Sequence, residues 1–521
     1  MRWRWIIALW LCAALFQGWW VAHNPLPDGF QNEYLLLGNA MDLWGALTSG
    51  DLWHMRWYMY TGYWPWGFFA VPWPFMSVLG PTRLALVMGN LIHLAVLLAA
   101  VNIMGRALGA RWAPVLVLLC PGVFGSLVRF EPNLADIAWT AAGLACLVRS
   151  RDLRDRRMVL GWGACLGIGL MMDRLAVGFF LVPALLPLLW RANRKSWTHL
   201  AMGLGVTLLL TGAYYREFFI RHTSELLSQA PVGEIDSAGT LSGGGGLLDW
   251  FYYPLALVDS QAGPVLGALM IWGLIGRLRG PRAVLLCSVG GGLLVFTLIA
   301  KNQVFYTLPI LGPLAVLAAT RGRWVALGVV GGLWTLLSVG IGAQDKVLSY
   351  VNHSWDGLDS QPLELPEIVM GRPWLPASWV QPRHTLARPP SHQDWPLEEA
   401  LAALGPDPGS IAVLSEDHML FEGFVVLAAR EAWPDAEVRG VVLDPHGTFE
   451  QLADVDRLLW VGPRGGHRPT QAGIEAELLS DHYTLSSLPP VAAEVENQAQ
   501  GFDEAGRWSA GEVDVVAMKR R

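Results

Sequence analysis

The first 343 residues alternate long apolar runs with short basic segments. The opening run, Trp3 to Ala22, is followed by others at about 84–104, 112–128, 134–148, 158–171, 175–190, 197–215, 265–279, 283–299, 304–320 and 324–342. Measured against a hydrocarbon core ~30 Å thick, these runs predict roughly eleven transmembrane helices. Arg2 and Arg4 precede the first run as they would a signal peptide. That run is rich in Trp and has no small-x-small cleavage site before His23, so it reads as a retained span.

The polar segments between the runs set the topology. Counted from a cytoplasmic N-terminus, the inside loops hold Arg106 and Arg111, then Arg149, Arg151, Arg154, Arg156 and Arg157, then Arg191, Arg194 and Lys195. The next two hold Arg277, Arg279 and Arg282, then Arg321 and Arg323, so every inside loop is basic. The outside segments are then the loop 23–83, short connections near Glu131, Asp173 and Lys301, the loop 216–264, and everything after residue 343. Gly243 to Gly246 in the second long loop lack the strand, helix and Lys context of a phosphate cradle and read as a hinge.

In the first outer loop, Pro27 to Gly50 sets Asp28, Glu33 and Asp42 among Leu, Met, Trp and Ala. At helical spacing Glu33, Asn39, Asp42 and Ser49 share one side, while Leu36, Ala40, Leu43, Trp44 and Leu47 share the other, the pattern of an interfacial helix. Asp28 with Gln31 three residues on is a capping box, and a general base near the outer face is the competing reading of Asp28 or Glu33. Glu131 and Asp136, in RFEPNLADIAW, stand at the outer end of a later span. Ionisable groups at that depth are costly and so are functional candidates, against a bland alternative of a cap or an ion pair with Arg129. Asp173-Arg174 reads as a turn with a local ion pair, and Lys301 as a cation that either snorkels to the headgroups or grips a phosphate.

Beyond residue 343 the pattern changes. A Pro- and His-containing linker, 344–395, leads to a segment, 396–521, in which Ile411 to Ser415, Val438 to Leu443 and Leu458 to Gly462 read as strands. Leu397 to Leu404 and Phe421 to Trp433 read as helices, so a small α/β soluble domain is predicted outside the membrane. Asp454 and Asp456 form a D-x-D that could hold a divalent metal but, directly before a strand in the acidic tail, reads first as a solvated turn, and no cofactor is otherwise indicated.

Composition agrees with the pattern and excludes some classes. Of 521 residues, 53% are hydrophobic and 15% charged, the mean hydropathy is +0.37, and 27 Trp cluster near span ends and in the first loop. This is the signature of an integral membrane protein with aromatic belts. The net charge of −6, with acid concentrated in the tail, gives no support for nucleic-acid binding. The five cysteines all lie in apolar runs without zinc-type spacing.

Together these features resemble the GT-C membrane glycosyltransferases, specifically the protein-mannosyltransferase and aminoarabinose-transferase-like group. A D-E-x-x-Y loop motif followed by a small-residue helix ending in Gly-Asp is similar to Asp28 through Tyr34 and then Gly50-Asp51, although here the acidic pair is split. The tract Tyr63 to Leu86 is similar to that group's aromatic, Pro-rich approach to the second span, and Lys301 to Pro309 to its basic residue, Tyr and Pro at a late span's outer end. The resemblance implies transfer of a sugar, with inversion, from a polyprenyl-phosphate donor to a lipid, glycan or protein acceptor on the outer face of the plasma membrane. It implies a catalytic role for Asp28, Glu33 or Asp136, and donor binding by Lys301, Tyr306, Arg129, Arg174, Tyr34 and Glu131. The fold expected is a polytopic α-helical membrane domain, 1–343, with interfacial helices in its first outer loop. A catalytically inactive scaffold of the same frame, acting through its outer domain, is the alternative. A transporter is disfavoured, since no paired repeat with broken helices is evident.

Overall fold

The computed structural model describes residues 1–23, 33–61, 64–173, 176–228, 253–254, 256–299, 304–336, 397–405, 410–415, 437–440, 455–463, 499, 501–510 and 513–521. Contacts divide the chain into two compact units. The first comprises Met1–His23, Asp42–Gly80 and Leu84–Arg388, and the second Asn24–Met41, Pro81–Arg83 and Pro389–Arg521.

The first unit is helical, and its helices fall on the apolar runs. In order they are α1 (Trp3–His23), α2 (Glu33–Ser49, whose first part belongs to the second unit), α3 (Leu52–Thr61), α4 (Trp66–Ala70), α5 (Trp73–Leu79), α6 (Arg83–Met88) and α7 (Asn90–Leu108). Then come α8 (Ala113–Leu118), α9 (Pro121–Val128), α10 (Asn133–Arg149), α11 (Arg156–Leu170), α12 (Ala176–Leu181), α13 (Leu186–Leu189) and α14 (Arg194–Ser228). The series closes with α15 (Pro264–Leu274), α16 (Gly280–Ile299), α17 (Leu311–Ala319) and α18 (Val325–Leu336). Among the described residues three helices are long and apolar enough to cross a membrane unaided, Trp3–Ala22, Arg83–Leu108 and Gly280–Leu298.

Other apolar runs are broken by proline, which removes a donor and clashes with the preceding turn. Pro121 starts α9 after the break at Cys120, and Pro183 and Pro187 divide 176–189 into α12, a short 3-10 turn and α13. The 3-10 stretch Val304–Ile310 contains Pro309 and runs into α17. In contrast α14 is continuous to Ser228, past residue 216 where hydropathy ends the span. Tyr214, Tyr215 and Phe218 are buried there and carry the helix across that boundary.

Small residues bring the helices close. A Cβ on Gly163 of α11 would stand 2.0 Å from the Gly203 carbonyl oxygen of α14, and Thr207 Oγ1 donates to the Gly163 carbonyl at 2.8 Å. Gly312 of α17 packs on Ala141 of α10 and on Leu97 and Val101 of α7. Such close approaches are how helices associate where no hydrophobic drive acts between them. Leu208, Leu209, Ile220, Leu186, Leu298 and Val330 are exposed on the outside of the bundle, as a hydrocarbon solvent requires.

The basic segments gather at one end of the helices. The Met1 amino group donates to Asn102 Oδ1 at 2.9 Å and Arg106 donates to the Met1 carbonyl at 2.7 Å, so the first residues lie at the Arg106 end of α7. The turn joining α10 to α11 holds Arg151, Asp152 and Leu153 at φ 53°, 57° and 64°. Left-handed backbone is costly for non-glycine residues, and α14 braces it: Ser196 Oγ donates to the Asp152 carbonyl, and His199 Nδ1 meets the Leu153 carbonyl at 3.1 Å.

The described part of the second unit includes a five-stranded sheet of order β2-β1-β3-β5-β4. Its strands are β1 (Ser410–Ser415), β2 (Glu437–Gly440), β3 (Arg457–Pro463), β4 (Phe502–Ala510) and β5 (Val513–Arg520). β1 runs parallel to β2 and β3, whereas β5 is antiparallel to both β3 and β4. Helix α19 (Leu397–Leu404) buries Ala400, Leu401 and Leu404, and Arg457 Nε donates to the Leu404 carbonyl at 3.0 Å. The strands expected at Ile411–Ser415 and Leu458–Gly462 and the helix at Leu397–Leu404 are found there, and of the strand expected at Val438–Leu443 the part to Gly440 is strand while 441–443 lie outside the described residues. The expected helix at 421–433 and the linker 344–395 lie outside the described residues.

Candidate functional site

The end of α9, the start of α10 and the end of α11 meet beneath the segment that carries α4. Asn90, at the start of α7, donates through Nδ2 to the carbonyls of Ser126, Leu127 and Arg129 at 3.1, 3.3 and 2.6 Å. Gln17 of α1 adds donations to the Val87 and Leu127 carbonyls at 2.9 and 2.6 Å. Two buried amides therefore absorb the carbonyls freed where α9 ends and fix the turn that carries Arg129 and Glu131.

From that turn the chain enters α10. Glu131 Oε2 accepts from Asn133 Nδ2 at 2.6 Å, and Asp136 lies in the first turn of α10, 5% exposed. The Asp136 carboxyl contacts the carboxyl of Asp173, in the tight connection that follows α11. Asp136 Oδ1 is buried and finds no hydrogen-bond partner among the described residues. Two carboxyls in contact repel unless something positive stands between them, a proton or a cation.

The first loop covers this place. Phe68 of α4 stacks on Phe130 at 4.6 Å between ring centroids, and a Cβ on Gly67 would come within 2.5 Å of the Met171 carbonyl oxygen. Only glycine allows α4 to lie this close to the connection that bears Asp173. Trp66 packs with Leu170, Met171, Tyr214, Tyr215 and Phe218, and Tyr215 Oη donates to the Leu170 carbonyl at 3.0 Å.

The structure thus pairs Asp136 with Asp173, for which the sequence suggests only a local ion pair in a turn, while Arg129 and Glu131 lie in the turn that leads into α10. Nothing along the sequence marks the Asp136 and Asp173 pairing, since a whole helical hairpin separates the two. Asp28, Arg174 and Lys301 lie outside the described residues, and Glu33 and Tyr34 are described only as the helical first turn of α2. Tyr306 stacks on Phe296 of α16 at 5.3 Å with 6° between the rings, and neighbouring Thr307 accepts from Gln261 Nε2 at 2.7 Å. Asp454 of the D-x-D is outside the described residues, and the Asp456 carbonyl accepts from the Arg520 backbone N–H at 3.0 Å. Among the described residues no three His, Cys, Asp or Glu side chains converge as a metal shell.

No protein-family model and no curated protein matches the sequence. Solved structures do. ArnT from Cupriavidus metallidurans in the apo state aligns with a TM-score of 0.56 at 14% identity, over 98% of this chain and 97% of that one. ArnT from the same organism bound to undecaprenyl phosphate gives 0.57 at 13% identity, over 99% and 98%. At such identity the likeness is one of fold, and it leaves almost nothing of either chain outside it. This chain shares its fold with ArnT.

Proposed function

We propose that this chain is a glycosyltransferase of the plasma membrane that moves a sugar from a polyprenyl-phosphate donor to an acceptor on the extracytoplasmic side. The observation that carries the reading is the near full-length likeness to ArnT, which has been solved with undecaprenyl phosphate bound. The carboxyl pair Asp136 and Asp173 beneath the first loop supports it. In this reading the chain crosses the membrane about eleven times. Its N-terminus is cytoplasmic, residues 344–395 are a linker, and 396–521 form an outer domain.

The chemistry asks little of the protein. The donor carries its own phosphate leaving group, so a base must take the acceptor's proton and positive charge must receive the departing phosphate. Asp28 or Glu33 supplies the base. The acceptor oxygen or nitrogen attacks the anomeric carbon in line, the bond from that carbon to the phosphate oxygen breaks, and the configuration inverts. Lys301, Arg129 and Arg174 neutralise the released phosphate, while Tyr34, Tyr306 and Glu131 shape the donor's surroundings. The orphaned Asp136 Oδ1 beside Asp173 fits a divalent cation that keeps water and phosphate oxygens as its other ligands. Such an ion would add charge for the leaving group.

The test is sugar transfer by membranes containing the protein, offered a panel of polyprenyl-phosphate sugars, with wild type beside Asp28→Asn, Glu33→Gln and Asp136→Asn. Loss of transfer of about 100-fold or more in one loop mutant, with the protein still inserted, names the base. A wild type inert toward every donor would leave the frame without its enzyme activity and turn attention to binding partners of residues 396–521.

A further inference from the structure

At the basic end of the bundle, helix α15 ends in carbonyls that two arginines share. Arg282 Nη2 donates to the Gly273 and Ile275 carbonyls at 2.5 and 2.8 Å. Arg321 Nη2 donates to the Trp272 carbonyl and to that same Ile275 carbonyl. One carbonyl oxygen therefore holds two guanidinium groups side by side. Gly276, at φ 151°, lets the backbone press on the Arg282 guanidinium, where a Cβ would stand 2.9 Å from Cζ.

Among the described residues no carboxylate pairs with either guanidinium. A helix C-terminus supplies only about half a negative charge, against two full positive ones. Residues 260–344 contain six Lys and Arg and no Asp or Glu, so no carboxylate comes from the local sequence. Nε of Arg282 and Nε of Arg321 are both buried without a hydrogen-bond partner among the described residues. Arg277 and Arg279 are exposed in the same loop and add to the field.

The surroundings are those of a headgroup layer. Arg321 lies over the Trp272 ring at 5.5 Å, and Trp272 meets Trp324 edge-on at 5.2 Å. Both indoles are partly exposed, and Ile275 and Leu278 beside them are 66% and 68% exposed. Indole at the headgroup level, apolar side chains below it and paired guanidinium groups form a setting for a phosphodiester that carries acyl chains. A free phosphate would leave the apolar part of that surface uncovered.

We propose that Arg282 and Arg321, with Trp272 and Trp324, form a site for the phosphodiester of an anionic phospholipid in the leaflet at the basic face. It is separate from the Asp136 and Asp173 pair, which lies at the opposite ends of the helices.

The test uses the delipidated full chain in detergent, titrated with phosphatidylglycerol, with phosphatidylcholine of the same acyl chains, or with inorganic phosphate, while thermal unfolding is followed. Phosphatidylglycerol is expected to raise the midpoint where the other two do not. Arg321→Gln is expected to need at least tenfold more phosphatidylglycerol for the same shift, and Arg156→Gln, in another basic segment, the wild-type amount. Equal protection by phosphatidylcholine, or an unchanged response in Arg321→Gln, would overturn the site. Equal protection by inorganic phosphate would overturn the lipid as its occupant. Should Arg321→Gln fail to fold, wild type photolabelled with a headgroup-diazirine phosphatidylglycerol decides. Label on peptides spanning 264–282 or 321–324 supports the site, and label confined elsewhere rejects it.

Discussion

Asp136 and Asp173 hold two carboxyls in contact at the N-terminal end of α10, so each should be worth more to function than to stability. Asp173→Asn removes a like-charge contact and replaces an acceptor with a donor that can reach Asp136 Oδ1. We expect the variant to unfold at a higher temperature than wild type, by a margin equivalent to about 1 kcal/mol, while losing sugar transfer. Thermal unfolding in detergent beside the transfer assay reads both, and a destabilised variant would show that the pair is structural. The opposite case is Asp514 in the sheet. It is buried at 2% exposure, accepts from Arg507 at 3.0 Å and from Ser509 at 2.7 Å, and Arg507 also pairs with Glu504 at 2.8 Å. Asp514→Ala strands Ser509 and leaves Arg507 with Glu504 alone, and should cost the sheet roughly 2 kcal/mol, read as an earlier loss of its circular dichroism on heating. Asp136 could be singled out from sequence because a carboxylate in an apolar run is conspicuous. Its partner could not, because Asp173 looks like any turn aspartate until the hairpin brings it round.

Among elements, the helices were readable and their interruptions were not. An apolar run announces a helix by length, whereas the divisions at Cys120 and at Pro183 depend on how neighbouring helices accommodate the freed carbonyls. The close pair Gly163 and Gly203 sets the spacing of α11 and α14. Gly163→Val would drive a branched side chain into the Gly203 carbonyl and should cost about 3 kcal/mol, seen as a lower unfolding temperature and a reduced yield of inserted protein. Gly67→Ala acts on a different contact, lifting α4 from Met171. Transfer should fall at least tenfold with insertion unaffected, because α4 covers the carboxyl pair rather than holding the bundle together. Two strands escaped sequence reading altogether. β4, FDEAGRWSA, lies at the sheet edge and carries Asp503, Glu504 and Arg507, charges that suit an edge and disguise a strand. β5, VDVVAMKR, places Asp514 among buried residues and is legible only once its ion pair is seen.

For the whole molecule, the basic end of the bundle and the first residues of the chain share one face, and the topology proposed above puts that face in the cytoplasm. With the five native cysteines replaced by alanine, a single cysteine at Arg156 should react with a membrane-impermeant maleimide only after the inner membrane is opened. One at Asp503 should react in cells whose inner membrane is intact, and the reverse pattern would invert the topology. The sheet adds a constraint of another kind. β5 follows every other strand in the sequence and yet lies inside the sheet, with β3 on one side and β4 on the other. Until Val513 to Arg520 has been synthesised, β3 lacks its antiparallel partner and β4 lacks the described strand it pairs with. The second unit therefore cannot finish its described sheet while that segment is still being made, and the bare edge of β3 needs protection until then.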